Sequence, residues 1–172
     1  MSRAFVRESD VPQLPELPAM ISPLPAGERN YLTPGGAQRL RDELSRLRDV
    51  DRPKLASAAG DDIDSKRELQ LLDQRIRYLQ ESLRTADIPE ITVGPSDTVR
   101  FGTTVTVRET NGTETRYRIV GVDETDLERN WVSWLSPIAR ALINATRGQR
   151  VQFKVPRGTR ELEVVAVEYE AA

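Results

Sequence analysis

The chain has 172 residues, a formal net charge of −2, and neither cysteine nor histidine. Disulfides, thiolate zinc sites and catalysis by cysteine or histidine are therefore excluded, and the balanced charge gives no global basic field of the kind that nucleic-acid-binding proteins use. No segment approaches the roughly 18 consecutive apolar residues of a membrane span, and the first residues lack the apolar core of a signal peptide, so we expect a soluble cytoplasmic protein.

Residues 1–31 are rich in proline and poor in bulky apolar side chains. The prolines of this stretch are Pro12, Pro15, Pro18, Pro23 and Pro25. Each proline lacks a backbone donor and biases the preceding residue toward extended geometry. We therefore interpret residues 1–31 as a flexible, partly polyproline tail, with a docking segment as the alternative.

The next stretch, residues 32–86, predicts two long amphipathic helices. Thr33 and Pro34 form a strong helix start, because the hydroxyl can cap the helix and proline needs no hydrogen bond at the first helical position. Pro53 removes one backbone hydrogen bond within the first helix and is expected to kink it or to split it in two. The first helix carries an apolar stripe made of Leu40, Leu44, Leu47, Val50, Leu55 and Ala58.

The second helix carries a clearer apolar stripe. Its members recur at steps of three and four residues, which is typical of a coiled-coil seam: Leu69, Leu72, Ile76, Leu79 and Leu83. Two striped helices joined by a short polar turn bury their stripes most readily against each other. We therefore predict an antiparallel coiled-coil hairpin.

An acidic turn joins the two predicted helices. The sequence Ser-Lys-Arg-Glu at residues 65–68 fits a capping box, which begins the second helix at about residue 66. A solvated turn explains the acids well, because carboxylates near a helix N-terminus gain about 0.3–1 kcal/mol from the helix dipole. Alternatively, bunched carboxylates at the end of a rigid arm could share a hard cation such as magnesium. Three acids are left outside the helix, at the tip of the hairpin: Asp61, Asp62 and Asp64.

Residues 87–95 read as a short linker, and the apolar period changes in the domain that follows, residues 96–172. From Val99 onward apolar residues alternate with polar ones, as in half-buried strands. Asn111 and Gly112 then supply a hairpin turn. The alternation predicts an antiparallel sheet.

A short helix interrupts these strands. Ser136 and Pro137 supply an N-cap and a first helical residue, so the helix is expected over residues 138–145. Two further strands are expected at residues 151–155 and 162–169. The predicted fold class is α+β, with a helical hairpin followed by an antiparallel sheet that one helix covers on one face.

Several motifs of the chain resemble the bacterial Gre transcription factors, most closely the GreB branch. They lie at residues 31–36, 51–53, 73–79, 101–102, 117–124 and 136–143. The resemblance covers nearly everything after residue 31. The last motif, at a loop-to-helix junction, is the most specific.

This resemblance implies a function. Gre factors insert a coiled-coil finger into the secondary channel of bacterial RNA polymerase, while a C-terminal domain, FKBP-like in fold, grips the channel rim. Two acids at the tip help to hold a second Mg²⁺ and a water in the polymerase's own active site, where backtracked RNA is hydrolysed. Residue by residue, Asp61 matches the first acid, and Asp64 matches the second with aspartate in place of glutamate. The chain is then a monomeric cofactor of the polymerase, and neither an enzyme nor a stable metal binder alone.

The sequence also gives candidate contact residues for this partner. Trp131 and Trp134 lie in an irregular stretch and are the aromatic residues most expected to face another protein. For the basic residues of the two arms, an exposed face of mixed charge pairs is the alternative to contact with RNA. The residues assigned to the polymerase are Trp131, Trp134, Ser136, Pro137, Ile138 and Arg140, and those assigned to nascent RNA are Arg75 and Arg77.

The chain departs from the family at the tip. The family pattern is Asp-x-x-Glu-Asn-Ala-x-Tyr, and residues 65–68 read Ser-Lys-Arg-Glu where Asn-Ala-x-Tyr is expected. Each arm also looks about six residues shorter than a GreB-like arm, which withdraws the tip by ~9 Å. Since inner-sphere magnesium ligation needs oxygen–metal distances of about 2.1 Å, this shortening favours docking over cleavage.

Four functions stay open at this point. The first is a Gre-type factor that stimulates transcript cleavage, and the second is a docking homologue, like the shorter-fingered Rnk proteins, that competes with other channel factors without cleavage. The third, a prolyl isomerase, rests on the FKBP-like fold alone. The fourth is a coiled-coil oligomerisation module, which predicts a concentration-dependent dimer. Polymerase binding, which the first two functions share, is the preferred interpretation.

Overall fold

A computed structural model describes residue 18 and residues 20–58 and 62–170 of the chain. Most of the predicted tail lies outside the described residues, and so do the tip residues 59–61. None of the helices in the described part is long and apolar enough to cross a membrane. The helices are α1 (Pro34–Arg46), α2 (Arg52–Ala58), α3 (Ile63–Thr85) and α4 (Pro137–Leu142). The strands are β1 (Gly94–Pro95), β2 (Thr104–Glu109), β3 (Glu114–Val120), β4 (Trp131–Ser133), β5 (Arg150–Val155) and β6 (Gly158–Tyr169).

The first arm passes Pro53 by widening the helix. A π-helical turn, Leu47–Asp51, joins α1 to α2, and the N–H of Arg52 donates to the carbonyl of Leu47, five residues back. Such a turn is a common cause of helix bending. It also shifts the side chains that follow α1, so Val50 is 41% exposed and leaves the predicted apolar stripe. The arm is therefore distorted at the proline but continues through it.

The second arm, α3, packs antiparallel to the first arm, as predicted. Leu40 of α1 and Leu79 of α3 belong to one buried cluster. Toward the tip, Glu43 pairs with Arg75 and Arg52 pairs with Asp73. The residue numbers rise along the first arm while those of their partners fall along α3, which is the mark of an antiparallel pair.

The helix α3 begins three residues earlier than the capping-box pattern predicted. Asp62 is its N-cap, and the Asp62 Oδ1 accepts a hydrogen bond of 2.9 Å from the backbone N–H of Ser65. Aspartate caps a helix as well as serine does, and Asp62 comes first along the chain. Asp64 therefore lies within the first turn of α3 instead of outside the helix.

The described strands form one six-stranded sheet in the order β1-β6-β2-β3-β4, with β5 also paired to β6. All neighbours are antiparallel except β3 and β4, which are parallel. The sheet is thus mixed, not wholly antiparallel as predicted. The parallel pair arises because the chain leaves β3 through a 3₁₀ turn, Val122–Glu124, and loops back before it enters β4. The strand expected from Val99 begins only at Thr104, after a turn in which Gly102 has a φ of 84°.

The sheet buries one face and exposes the other. On the buried face, Ala139 and Leu142 of α4 pack into the core with apolar side chains of β2, β3 and β6, including Val105, Ile119 and Val164. The other face carries ion pairs between strands, among them Arg116 with Glu168 at 2.7 Å and Arg108 with Glu114 at 2.8 Å. The helix α4 ends at Leu142, earlier than predicted, because Asn144 adopts a left-handed φ of 71°.

Candidate functional site

The described acids at the tip, Asp62 and Asp64, have different roles. Both carboxylate oxygens of Asp62 accept hydrogen bonds from Ser65, Oδ1 from its N–H and Oδ2 from its hydroxyl at 2.7 Å. The backbone N–H of Ser65, and then its hydroxyl, lower the pKa of the Asp62 carboxyl. Asp62 therefore serves the helix start. Asp64 is exposed on the first turn of α3, whereas Asp61 lies outside the described residues.

The two arginines assigned to RNA are placed differently. Arg75 forms a bidentate pair with Glu43 across the hairpin, with nitrogen–oxygen distances of 2.8 and 2.9 Å. Its guanidinium also lies 5.5 Å from the centre of the Tyr78 ring. Arg75 is thus used to join the two arms, which argues against its assignment to RNA. Arg77 is exposed on α3.

Trp131 lies among arginines of its own chain. The guanidinium carbons of Arg39, Arg118 and Arg129 lie 5.0, 5.0 and 5.4 Å from its ring centre. Arg39 belongs to α1, so this stacking joins the hairpin to the sheet domain. Trp131 is half-buried and offers a partner only part of its ring.

Trp134 is a packing residue of the same region. Its ring meets the ring of Tyr31 edge-on at 5.2 Å, and Tyr31 also lies 5.3 Å from Phe101. These contacts bring the segment before α1 against the sheet domain. The Trp134 ring is therefore partly covered by a segment from a distant part of the sequence, and the prediction that Trp134 faces a partner stays a prediction.

The residues assigned to the polymerase around α4 lie at its start. Ser136 caps the helix by accepting a hydrogen bond of 3.3 Å from the N–H of Ala139, and Ile138 packs on the core of the sheet domain. Of this group, only Pro137 and Arg140 are exposed, whereas Ser136 and Ile138 are partly buried.

The base of the hairpin meets the sheet domain at a region that we call the junction, centred on Glu124. The Glu124 side chain is only 1% exposed. Its Oε2 accepts hydrogen bonds from the N–H groups of Thr33 at 2.9 Å and Gly121 at 3.0 Å. Its Oε1 accepts from the Thr33 hydroxyl at 2.5 Å and lies 3.3 Å from Arg39 Nη2. A buried carboxylate of the sheet domain is thus satisfied mainly by the first turns of α1.

The residue before Glu124 reaches the other arm. Asp123 Oδ1 accepts a hydrogen bond from the hydroxyl of Tyr78, and Asp123 Oδ2 accepts one of 2.6 Å from the hydroxyl of Ser82. Both donors belong to α3. Two consecutive acids of the sheet domain therefore bind the two arms of the hairpin.

We predict that the phenol of Tyr78 ionises at a higher pH than an ordinary tyrosine. Burial first, and then the hydrogen bond to Asp123 and the negative charge of that residue, raise the pKa of the Tyr78 phenol to about 12, from an ordinary value of about 10. Because the pKa is raised on folding, the contribution to stability is complete below pH ~10 and is lost as the pH rises through about 12.

The absorbance of tyrosinate, compared between the wild-type protein and Tyr78→Phe, measures this titration. The wild-type protein should show an additional ionisation near pH 12 that the variant lacks. Its free energy of unfolding should also fall relative to that of the variant between pH ~10 and ~12. An additional ionisation centred near the ordinary pH of about 10 would contradict the contact with Asp123.

The end of the predicted tail contacts α3. Asn30 is 8% exposed and its side-chain amide donates to the carbonyl of Ser82 at 2.9 Å. An open cavity of about 920 Å³ lies between residues 20–30 and this face of α3. Asn30, which the sequence analysis placed in the tail, thus packs at the base of the hairpin.

Comparison with known proteins decides the family. Two family models match, one described as transcription elongation factor, N-terminal, over residues 30–88, and one as transcription elongation factor, GreA/GreB, C-term, over residues 94–169. The transcription elongation factor GreB of Neisseria meningitidis serogroup B is 39% identical over 155 residues, which cover 82% of this chain and 94% of that protein. The chain belongs to the GreA/GreB family of transcription elongation factors.

Other Gre-family proteins match over a similar share of the chain. The transcription elongation factor GreA of Francisella tularensis subsp. novicida is 34% identical over 158 residues, which cover 84% of this chain and 99% of that protein. The crystal structure of GreA factor homolog 1 of Thermus thermophilus is 26% identical and covers 81% of this chain and 99% of that chain, with a TM-score of 0.38. That score is too low to add to the family assignment, which rests on the sequences.

Within the aligned region, this chain has fewer residues than its GreB relative. Since 82% of 172 residues is about 141, about 14 of the 155 aligned positions are filled only by the Neisseria protein. The sequence predicts that each arm of the finger lacks about six residues. The two arms together would then lack about twelve residues, which is close to the number of unfilled positions in the alignment.

The junction brings together two Gre-like motifs, residues 31–36 and 117–124, that the sequence analysis identified separately. Sequence reasoning missed the roles of Asp123 and Glu124 because their partners are far away along the chain. One signal was present, however. Gly36 weakens the first turn of α1, and the structure gives a packing reason for it, because an added Cβ would lie 1.9 Å from Glu124 Oε1.

Proposed function

We propose that this Gre-family factor binds bacterial RNA polymerase, with its hairpin inserted in the secondary channel and its sheet domain at the channel rim. The observation that supports this best is a narrow finger, two helices thick, whose base is fixed to the sheet domain by Asp123 and Glu124 and whose far end carries acids. The helix α3 has 23 residues, which corresponds to a length of about 35 Å. A finger of this length and width fits a deep and narrow site in another protein. Its place of action would be the bacterial cytoplasm.

The tip residues that we assign to the reaction are Asp61 and Asp64. Asp64 is exposed on the first turn of α3, and carboxylate oxygens are ligands that Mg²⁺ prefers. Among the described residues, no group of three or more acidic side chains is placed to hold a metal ion. We assign Asp61 and Asp64 to a Mg²⁺ shared with the polymerase, because they match the two tip acids of the Gre family. That ion would stabilise negative charge and activate water during RNA hydrolysis.

The chain's own contribution would then be positional. Its finger carries carboxylates to the polymerase active site, and the polymerase catalyses the hydrolysis. Asp62 is not assigned to the metal, because both of its oxygens already accept hydrogen bonds from Ser65. The factor would act as a cofactor of the polymerase and not as an independent enzyme.

A second candidate function is docking without cleavage. The predicted shortening of about six residues per arm favours it, because a shorter finger brings its tip less far into the channel. In this case the factor would occupy the channel and compete with other channel-binding proteins.

A transcript-cleavage assay on stalled bacterial elongation complexes tests the proposal. If the tip acids share the metal, the wild-type factor releases short RNA fragments from backtracked complexes. Asp61→Asn and Asp64→Asn should each slow this release at least about tenfold, the minimum effect expected for damage to a metal site. Asp62→Asn is the matched control, since asparagine caps a helix as well as aspartate while removing one tip charge.

The outcomes separate the two candidates. If the wild-type factor releases no fragments but displaces another channel-binding factor from the polymerase, docking without cleavage is the function. Equal losses in all three variants would mean that tip charge in general, not the pair Asp61 and Asp64, supports cleavage. If the factor does not bind the polymerase at all, the proposal is wrong.

A further inference from the structure

We propose that Asp123 and Glu124 form a two-point clamp that fixes the direction of the finger relative to the sheet domain. The clamp consists of these two acids and the groups that they bind: Thr33 and Arg39 on the first arm, and Tyr78 and Ser82 on α3. Its use in aligning the tip rests on the proposed function, but its existence does not. Asp123 and Glu124 would be positioning residues, because neither touches the tip.

The local backbone explains how neighbouring residues reach different helices. Asp123 and Glu124 belong to the 3₁₀ turn Val122–Glu124, in which successive side chains point about 120° apart. One side chain therefore faces α1 and the next faces α3. A single attachment would let the hairpin rotate about the contact, whereas attachments on both arms fix its direction.

The covalent connection does not fix this direction. Residues 86–93, which join α3 to β1, form no regular helix or strand. Only the first part of this linker is bound to the hairpin, where the N–H of Leu32 donates to the carbonyl of Asp87 at 3.1 Å and the N–H of Asp87 donates to the carbonyl of Asn30 at 2.8 Å. A short irregular linker permits many orientations of two domains, so noncovalent contacts have to select one.

The junction is packed closely enough to do so. A Cβ added at Gly121 would lie 2.1 Å from the carbonyl oxygen of Tyr31, and one added at Gly36 would lie 1.9 Å from Glu124 Oε1. Both glycines thus allow the hairpin and the sheet domain to approach more closely than side chains would permit. The rings of Tyr31 and Trp134 pack beside this contact. The junction is therefore a closely packed interface and not a chance contact between exposed acids.

A distance measurement on the free protein tests the clamp. The chain contains no cysteine, so Arg67→Cys on α3 and Lys154→Cys on β5 give two unique positions for spin labels, and both residues are exposed. Double electron–electron resonance then reports the distribution of distances between the finger and the sheet domain. The parent protein should give one narrow distribution.

Two sets of substitutions remove the contacts of Asp123 and those of Glu124 separately. Tyr78→Phe with Ser82→Ala removes both donors to Asp123 and leaves Glu124 untouched. Glu124→Gln keeps the size of the side chain but places an amide NH₂ group against donors that now face a carboxylate oxygen. Each set should widen the distribution, and the combination should at least double its width. Glu128→Gln, an exposed acid in the loop that follows, is the control and should leave the width unchanged.

Circular dichroism at the measuring temperature shows whether each variant is folded. If Glu124→Gln unfolds the protein, the Tyr78→Phe, Ser82→Ala variant still decides the question, because it leaves the buried carboxylate in place. A folded variant with the clamp opened and a distribution as narrow as that of the parent would overturn the proposal.

The polymerase gives a separate readout. If the proposed function is right, opening both points of the clamp should weaken binding to the elongation complex at least tenfold, while Glu128→Gln binds like the parent. If the wild-type factor does not bind the polymerase, the proposed function fails, but the distances in the free protein still confirm or overturn the clamp.

Discussion

Replacing Gly36 with alanine is expected to lower the free energy of unfolding by about 3 kcal/mol, although alanine is the better helix former. Helix propensity favours the substitution by about 1 kcal/mol. Against this, the new Cβ would lie 1.9 Å from Glu124 Oε1 and 2.1 Å from its Cδ. The buried carboxylate would have to move away from Thr33 and Arg39, and lost hydrogen bonds to a charged group cost about 1.5–3 kcal/mol each. The clash therefore outweighs the propensity.

Urea unfolding followed by circular dichroism measures this effect. Gln38→Ala is the matched control, since Gln38 is exposed on the same helix and surface substitutions usually stay within about 0.5 kcal/mol. If Gly36→Ala stabilised the protein by the amount expected from helix propensity alone, the close contact between α1 and Glu124 would be refuted.

Leu79→Ala is expected to destabilise the protein by about 3–4 kcal/mol. The Leu79 side chain is fully buried, at 0% exposure, in the cluster that joins the two arms, with Leu32, Ala37 and Leu40. Its removal costs the transfer of the lost methyl groups and leaves a cavity, because helices anchored at the junction cannot collapse freely around the gap.

Leu71→Ala provides the comparison on the same helix. Leu71 is 50% exposed, so its truncation removes little buried surface and should cost less than about 1 kcal/mol. The same unfolding measurement applies to both variants. Similar losses for the two leucines would contradict the assignment of the inner and outer faces of α3.

The parts of the fold that depend on local patterns could be predicted from the sequence. Steps of three and four residues identified the inner face of α3, where Ile76 and Leu79 are buried. Alternation with a period of two identified the strands β2 and β3, and the Ser136-Pro137 pair identified the start of α4. In each case the signal comes from residues that are close together in the chain and share one face.

The parts that depend on contacts between distant residues could not be predicted. Glu124 binds Thr33, which lies 91 positions earlier, and no periodicity connects the two residues. Arg75 looked like an exposed base but pairs with Glu43 across the hairpin. The sequence also could not decide between local structures that are equally favourable. Asp62 and Ser65 are both good N-caps, and the π turn before Pro53 has no distinct sequence signal.

The central claim is that a finger fixed at its base enters RNA polymerase with its tip first. Directed hydroxyl-radical cleavage tests this most directly, because the protein contains no cysteine and an iron chelate can be attached to Arg67→Cys near the tip or to Lys154→Cys on the sheet domain. Bound to an elongation complex, the tip probe should cut polymerase segments that surround the active-site magnesium, and the sheet probe should cut only near the outer opening of the channel. Cuts from the tip probe on the outer surface, or at the same places as those from the sheet probe, would contradict the account.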